Sequence, residues 1–284
     1  MAIRKFSEKK LTAEVLHRIR KTSDPRLKQV MTSFIKHVHA FVREVKPTPE
    51  EWFTGIQFLS ETGHWCTGKR QEYILMSDTL GVSMLVDALN YKPSAGATQS
   101  TVLGPFHREN APEFPLGANV AKNAADGEPC IVSGTVRDAA GRPVAGAKLD
   151  IWEGGADGLY DSQKGDEMNL RGVFRTDREG KFHFRCVTPT FYPVPHDGPV
   201  GKMLTATGRH PMRPPHLHFW ITAKGYRPLI THLFVKGGKY LDSDAVFGVK
   251  PELIVNFAKG KDGIARAHYN FVLMPEKAKP KKKR

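Results

Sequence analysis

The 284-residue chain carries 43 Lys and Arg against 29 Asp and Glu, with 40% hydrophobic and 10% aromatic residues, which excludes disorder and a collagen-like fibre and indicates a globular protein of one or two domains. Its 26 glycines and 20 prolines recur without a period, a pattern of many turns and therefore many short strands. Six of the cations behind the net charge of +14 lie in a terminal run (Lys277, Lys279, Lys281, Lys282, Lys283, Arg284), leaving a body nearer +8 that suits an anionic small substrate or product.

That run, residues 277–284, reads as a disordered basic tail, solvated rather than bound to nucleic acid. Cys66, Cys130 and Cys186 are far apart in sequence and form no C-x-x-C pair, so neither a zinc knuckle nor a disulfide scaffold is indicated and a reducing compartment is expected. Met1 to Lys10 has no apolar leader core, and no apolar stretch approaches the roughly 18 residues of a membrane span. The expectation is a cytoplasmic protein with no membrane partner.

Residues 7–92 have helical periodicity. Val30, Met31, Phe34, Ile35, Val38, Phe41, Val42 and Val45 form one apolar stripe. Thr48-Pro49-Glu50-Glu51 then supplies an N-cap hydroxyl, a proline at the first helical position and a glutamate at the third, with Trp52, Ile56 and Leu59 as the buried face of that helix. A third tract runs through Ile74, Leu75, Leu80, Met84, Leu85 and Leu89 to Asn90. Residues 1–95 thus predict a helical domain with a packing or dimerisation role. Residues 96–127 read as a linker that lines the site.

From 128 to 276 the period becomes two. Ile131–Val136, the turn Asp138–Pro143 and Ala147–Trp152 predict one hairpin; Val173–Thr176, the turn Asp177–Gly180 and Phe182–Arg185 predict a second. Further strands are predicted at His216–Thr222 and Leu229–Val235. Short strands with regular turns indicate a β-sandwich or barrel, so the fold class is α+β: a helical N-terminal domain followed by a mostly antiparallel β-sandwich.

Gly63 to Arg70 almost matches a phosphate-binding loop, but Arg70 stands where a hydroxyl is required and the preceding segment is helical rather than a strand. The informative segment is Arg209 to Phe219. On a strand, His216 and His218 project from one face and can share a metal ion, while Leu217 and Phe219 face the core. An H-x-H pair alone is a weak signal, and Thr222, Ala223 and Lys224 supply no acid for a cupin site. Tyr160, after a strand, and Tyr192, between prolines, sit in unusual turns. Phenolate is a hard anionic donor that a trivalent cation can stabilise, so two tyrosines with two histidines suggest ferric iron.

The ordered run Gly158-Leu159-Tyr160, Asn169-Leu170-Arg171-Gly172, Tyr192 to Pro199, Gly208-Arg209-His210 and Arg213 to His218 resembles the intradiol ring-cleavage dioxygenases. With Asp78–Asp87, Thr101–Phe106 and Tyr240–Gly248, the resemblance covers most of residues 70–275. It implies a homodimer formed through N-terminal helices, with a bound lipid between them, and a sandwich holding one Fe(III) per subunit. Carried over by position, Tyr160, Tyr192, His216 and His218 would be the protein ligands, Tyr192 the tyrosinate released by substrate, and Arg213 the catalytic cation facing the ring.

The reaction implied is Lewis-acid activation of an aromatic diol or triol toward O2, cleaving between the two hydroxylated carbons to a dicarboxylate. Thr231–Phe234 and Tyr240–Lys250 resemble the hydroxyquinol branch, in which His232 stands where catechol enzymes tend to have glutamine. The same transfer gives a substrate pocket of Leu75, Asp78, Val102, Leu103, Gly104, Pro105, Phe106, Val194, Pro195, Arg213, His232 and Val246. Asp78 would accept a hydrogen bond from a third ring hydroxyl. A catechol or chlorocatechol enzyme with the same ligands is the alternative within the class. A metal-free binding module, prompted by the Gly134–Gly146 turn region, and a nucleic-acid binder, prompted by the tail, are the alternatives outside it.

Overall fold

A computed structural model of the chain describes residues 7–68, 70–94, 96–123 and 126–276; the basic run 277–284 lies outside the described residues. Two compact units are formed, residues 1–60 and 61–284. In the first, α1 (Glu8–Arg18) and α2 (Pro25–Val45) are joined by ion pairing of Arg43 with Glu8 at 3.0 Å. Asp24 caps α2 by accepting from the amides of Arg26 and Leu27 at 2.7 and 3.0 Å, and Pro25 fills the first helical position, where no amide proton is needed. The helix α3 (Pro49–His64) begins with the predicted capping box: the Thr48 amide donates to Glu51 at 2.8 Å, and the Glu51 amide to Thr48 Oγ1 at 3.2 Å.

Two helical expectations are corrected. Trp52, Ile56 and Leu59, read as a buried face, are exposed in the single chain, as are Phe34 and Phe41 of α2; periodicity marks an apolar face but not what covers it. The third tract is two helices, α4 (Glu72–Thr79) and α5 (Val82–Asn90). They separate at Leu80-Gly81, where Gly81 takes φ +73°, a left-handed conformation that glycine adopts without a Cβ penalty.

The sandwich comprises a four-stranded sheet in the order β10-β11-β1-β4 and a five-stranded sheet in the order β3-β2-β7-β8-β9. The strands are β1 (Pro129–Asp138), β2 (Lys148–Trp152), β3 (Arg171–Arg175), β4 (Lys181–Val187), β7 (His216–Thr222), β8 (Leu229–Val235), β9 (Ile254–Val255), β10 (Ala258–Lys259) and β11 (Ala265–Leu273). A small pair, β5 (Tyr192–Pro193) with β6 (Met212–Arg213), lies apart from both sheets. Between β2 and β3 is the four-residue α6 (Asp161–Lys164), and between β5 and β6 is α7 (Pro199–Ala206). Pairing is antiparallel except for β1 with β11 and β8 with β9.

Both predicted hairpins are corrected to arches between sheets. β1 pairs with β11 and β4, whereas β2 pairs with β3 and β7; likewise β3 and β4 lie in different sheets. The turns themselves are where the sequence puts them: Asp138 Oδ1 accepts from the amides of Ala140 and Arg142, and Asp177 Oδ1 from those of Glu179 and Lys181. Half-buried strands need a second apolar layer, and each arch sends its second strand to the facing sheet. Val132, Val136, Phe182, Phe184 and Phe271 from one sheet meet Leu149, Ile151, Leu217, Phe219 and Leu233 from the other. This leaves the opposite face of the five-stranded sheet for other work.

Candidate metal centre and substrate pocket

Alternation along β7 puts Leu217, Phe219 and Ile221 into the core and His216 and His218 on the opposite face. His218 lies in register between Trp152 of β2 and His232 of β8. The Trp152 indole stacks on it, with centroids 4.6 Å apart and planes 16° apart. Tyr160 sits at the start of α6, where Gln163 accepts from its amide at 2.9 Å, and Tyr192 lies on β5 opposite Arg213.

These elements bring four predicted residues to one point. Tyr160 Oη lies 2.9 Å from His218 Nε2 and 3.1 Å from Tyr192 Oη; Tyr192 Oη lies 3.3 Å from His216 Nε2, which is 3.1 Å from His218 Nε2. All four residues are buried. His216 Nδ1 donates to the Pro214 carbonyl at 2.7 Å, which places the proton there and leaves Nε2 as a lone-pair donor. Burial holds His216 and His218 well below the usual imidazole range and pushes both phenols up, Tyr160 the more strongly. For Tyr192 the nearby Arg213 cation opposes that rise.

Bonds of roughly 2.0–2.1 Å set neighbouring donors of a compact metal shell about 2.9–3.4 Å apart. The four observed separations fall in that interval, and the donors are lone pairs and ionisable phenols. The residues therefore fit a metal ion, and a group of His216, His218 and His232, with ligand atoms within 4.8 Å of one another, belongs to the same locus.

Arg213 is buried beside this locus, with Nη1 3.1 Å from His216 Nε2 and 3.4 Å from Tyr192 Oη. Burial works against its charge, yet Asp244 and the two phenols hold its pKa above the ordinary value. Asp244 accepts from Arg213 Nε at 3.0 Å and from Nη2 at 3.3 Å, and its own oxygens are fixed by the Val246 and Gly248 amides at 3.3 and 2.9 Å. Sequence reading missed this carboxylate. It lies in the quoted Tyr240–Gly248 segment, but nothing there separates Asp244 from the exposed Asp242.

The remaining residues expected to line a pocket fall into two buried groups and the loops beside them. Leu75, Val102, Val194 and Val246 form one buried apolar cluster. Phe106 stacks on Tyr160 at 4.4 Å, and Leu103 packs in the same cluster with Tyr192 and Trp152. Gly104 takes φ +76°, and a Cβ there would meet His218 Cε1 at 3.5 Å; glycine serves here for its backbone angle. Pro105 and Pro195 are half-buried in the loops that carry Gly104 and Val194. Asp78 is buried on α4 and its pKa is raised, chiefly by desolvation, with Ser83 and Arg213 opposing and Asp244 adding to the rise.

The segment before Phe106 is pinned rather than slack. Thr101 donates its amide to the Ile230 carbonyl at 2.9 Å, Thr231 Oγ1 donates to the Gln99 carbonyl at 2.8 Å, and Arg171 Nη2 donates to the Phe106 carbonyl at 3.1 Å. Arg171 also pairs with Asp161, the residue after Tyr160, with Nε 2.6 Å from Oδ2. One buried cation thus ties the segment ending at Phe106 to the turn carrying Tyr160.

The family described as "Dioxygenase" matches residues 102–275, and that described as "Catechol dioxygenase N terminus" matches residues 24–98. The chain is 50% identical over 275 residues to the 6-chlorohydroxyquinol 1,2-dioxygenase of Cupriavidus pinatubonensis, covering 96% of this chain and 99% of the relative. It is 48% identical to the hydroxyquinol 1,2-dioxygenase of a Rhizobium species, covering 90% and 88%. The crystal structure of hydroxyquinol 1,2-dioxygenase from Pseudomonas putida DLL-E4 superposes with a TM-score of 0.88 at 46% identity, covering 95% of this chain and 99% of that one. The chain belongs to the intradiol ring-cleavage dioxygenase family. It is an enzyme of the oxygen-dependent, ring-opening class, and no helix among the described residues is long and apolar enough to cross a membrane.

Proposed function

We propose that this enzyme cleaves hydroxyquinol (benzene-1,2,4-triol) between its adjacent hydroxylated carbons, adding both atoms of O2 to give 3-hydroxy-cis,cis-muconate, the enol tautomer of maleylacetate. One Fe(III) per subunit is held by Tyr160, Tyr192, His216 and His218. The observation that carries this reading is the closed ring of four donor atoms at 2.9–3.3 Å beside a mostly apolar slot. Two phenols among the donors favour a hard trivalent ion over zinc or magnesium. When bound, ferric iron supplies a Lewis acid that draws electron density from a chelated diolate ring and makes a ring carbon reactive toward O2.

The protein's own groups do the rest. Tyr192 Oη takes up a proton as the diol binds, and the Arg213 guanidinium 3.4 Å away governs its basicity. Arg213 also faces the position where negative charge develops on the ring, with its orientation set by Asp244. Phe106, Leu75, Val102 and Val246 hold the ring and exclude water. The Asp78 carboxyl accepts a hydrogen bond from the third hydroxyl, and catechol, lacking that hydroxyl, leaves Asp78 buried without it. The names of the relatives support hydroxyquinol over plain catechol.

Two copies pair through the helical region, and a lipid between the helices belongs to the same reading; the exposed stripe of Phe34, Phe41 and Trp52 supports the pairing. Three unpaired thiols support a reducing, cytoplasmic setting. The test is product analysis with 18O2. Hydroxyquinol must yield a ring-opened dicarboxylate carrying both labelled atoms, at a higher kcat/KM than catechol; cleavage outside the diol carbons or a preference for catechol would refute the assignment.

A further inference from the structure

We propose that Arg209 is a positioning residue for substrate discrimination, its guanidinium setting the distance between the element that carries Asp78 and the loop that carries Asp244 and Val246. That role rests on the reading above of Asp78 as acceptor for the third hydroxyl and of Arg213 as the cation facing the ring.

Arg209 belongs to the Gly208-Arg209-His210 run, which neither the metal centre nor the apolar cluster uses. The way α7 ends fixes its backbone. The Gly208 amide donates to the Thr205 carbonyl at 3.0 Å and the Arg209 amide to the Leu204 carbonyl at 2.8 Å, with Gly208 at φ +68°. This is the Schellman arrangement, in which a left-handed glycine just past the helix reverses the chain.

The side chain then joins two elements. Nη1 donates to the Thr79 carbonyl at 2.6 Å and Nη2 to the Ala245 carbonyl at 3.0 Å. Thr79, next to Asp78, is the last residue of α4, where helix carbonyls lack an intrahelical partner and a cation is favoured. Ala245 lies between Asp244, which orients Arg213, and Val246 of the apolar cluster. The guanidinium carbon also sits 5.0 Å from the Phe247 ring centroid. That ring lies beside Gly81, where a Cβ would be 3.5 Å from Phe247 Cδ2. Phe247 takes φ +59°, a conformation uncommon for a large side chain that persists only where the surroundings hold it. A planar fork with several N–H directions bonds two carbonyls and lies on a ring at once, which a lysine ammonium does not do.

The consequence falls on hydroxyquinol more than on catechol. Asp78 is buried within the fields of Arg213 and Asp244, so the third hydroxyl and the ring are met by groups on the two elements that Arg209 joins. A relative shift of about 0.5 Å takes a hydrogen bond out of its favourable range, and only the triol makes that bond.

The test is a double-mutant cycle on the iron-loaded full-length enzyme, read as the hydroxyquinol-to-catechol ratio of kcat/KM, with melting temperature as the folding control. Arg209→Met, which keeps the length and loses both donors, is expected to lower the ratio about fivefold, and Arg209→Lys, which can keep one carbonyl bond, about threefold. In an Asp78→Ala background, Arg209→Met is expected to change the ratio by less than about 1.5-fold, because the group it positions is gone. Amide hydrogen exchange of the metal-free chain, independent of turnover, is expected to quicken at 246–248 and at Gly81 in Arg209→Met. A purely structural clamp would lower the melting temperature and leave the ratio at its wild-type value. That result, unchanged exchange, or full multiplication of the two effects in the double variant would overturn the proposal while leaving Asp78 as the acceptor. A wild-type ratio in Asp78→Ala alone would refute the reading of Asp78, and the role of Arg209 with it. If Arg209→Met does not fold, Arg209→Lys alone and with Asp78→Ala carries the same comparison.

Discussion

Arg213 and Asp244 form a two-point ion pair in the protein interior, Nε to Oδ1 at 3.0 Å and Nη2 to Oδ2 at 3.3 Å, which leaves Nη1 aimed at Tyr192 and His216. The pair aims a cation that would otherwise rotate. Asp244→Ala strands that cation in the interior and is expected to lower stability by about 3–5 kcal/mol. Asp244→Asn keeps the shape and the Nη1 direction only in part, so kcat should fall about tenfold with KM nearly unchanged. Denaturant titration and steady-state kinetics check the two outcomes separately.

The two tyrosines are predicted to differ. Tyr160, the phenol whose pKa is raised the more strongly, is the permanent ligand of the proposed centre, and Tyr160→Phe should lose iron or its visible colour. Tyr192, next to Arg213, is the proposed proton acceptor, so Tyr192→Phe should retain one tyrosinate band while kcat drops about 100-fold or more. Iron content, absorption spectra and single-turnover rates distinguish the two variants.

The proposed role of Asp78 links substrate choice to stability. Its folded-state pKa is raised by desolvation, so between its unfolded and folded values the native state binds more protons than the unfolded chain. Stability is then greatest below the unfolded value and declines as pH rises through that window. Asp78→Asn should remove this decline and raise the melting temperature at neutral pH. The same variant, and Asp78→Ala more strongly, should lower the hydroxyquinol-to-catechol ratio of kcat/KM about tenfold, the worth of one hydrogen bond to a hydroxyl. Unchanged discrimination would remove Asp78 from the pocket.

Asp161 accepts two bonds from Arg171, which also donates to the Phe106 carbonyl. Asp161→Ala leaves the Arg171 charge buried and should destabilise the sandwich by about 3–5 kcal/mol. The loop carrying Gly104 and Phe106 should loosen with it, seen as faster amide hydrogen exchange there than in β1 or β4.

The α2 stripe predicts association. Phe34 and Phe41 lie two turns apart on α2 and are 60% and 59% exposed, so the double substitution of both by Glu should convert the proposed dimer into a monomer in analytical ultracentrifugation. Ring-cleavage chemistry is carried by other elements, and kcat per subunit should stay within about twofold of wild type.

Much of this organisation is legible in the residue pattern, for identifiable reasons. β7 and β8 occupy the predicted ranges His216–Thr222 and Leu229–Val235 because dense apolar alternation there has one solution. The capping box at Thr48 is a local code and reads directly. Partner choice is not local: the aspartate turns at Asp138 and Asp177 are visible in the sequence, but the same turn serves a hairpin or an arch, and the facing sheet decides. Gly81 breaks a tract whose apolar spacing continues across it. At the site, Tyr160, Tyr192, His216 and His218 stand out as residue types in unusual turns or on one strand face. Asp244 does not, because its burial depends on Arg213, 31 positions earlier in the chain.

The most direct test of the central claim is the visible absorption spectrum of the iron-replete protein, titrated anaerobically with hydroxyquinol and then with catechol before oxygen is admitted. A ferric centre with Tyr160 and Tyr192 as ligands predicts a red to violet charge-transfer band that shifts at lower hydroxyquinol than catechol concentration and returns to its resting form after turnover. An iron-loaded protein that stays colourless, or a band that no diol shifts, would contradict it.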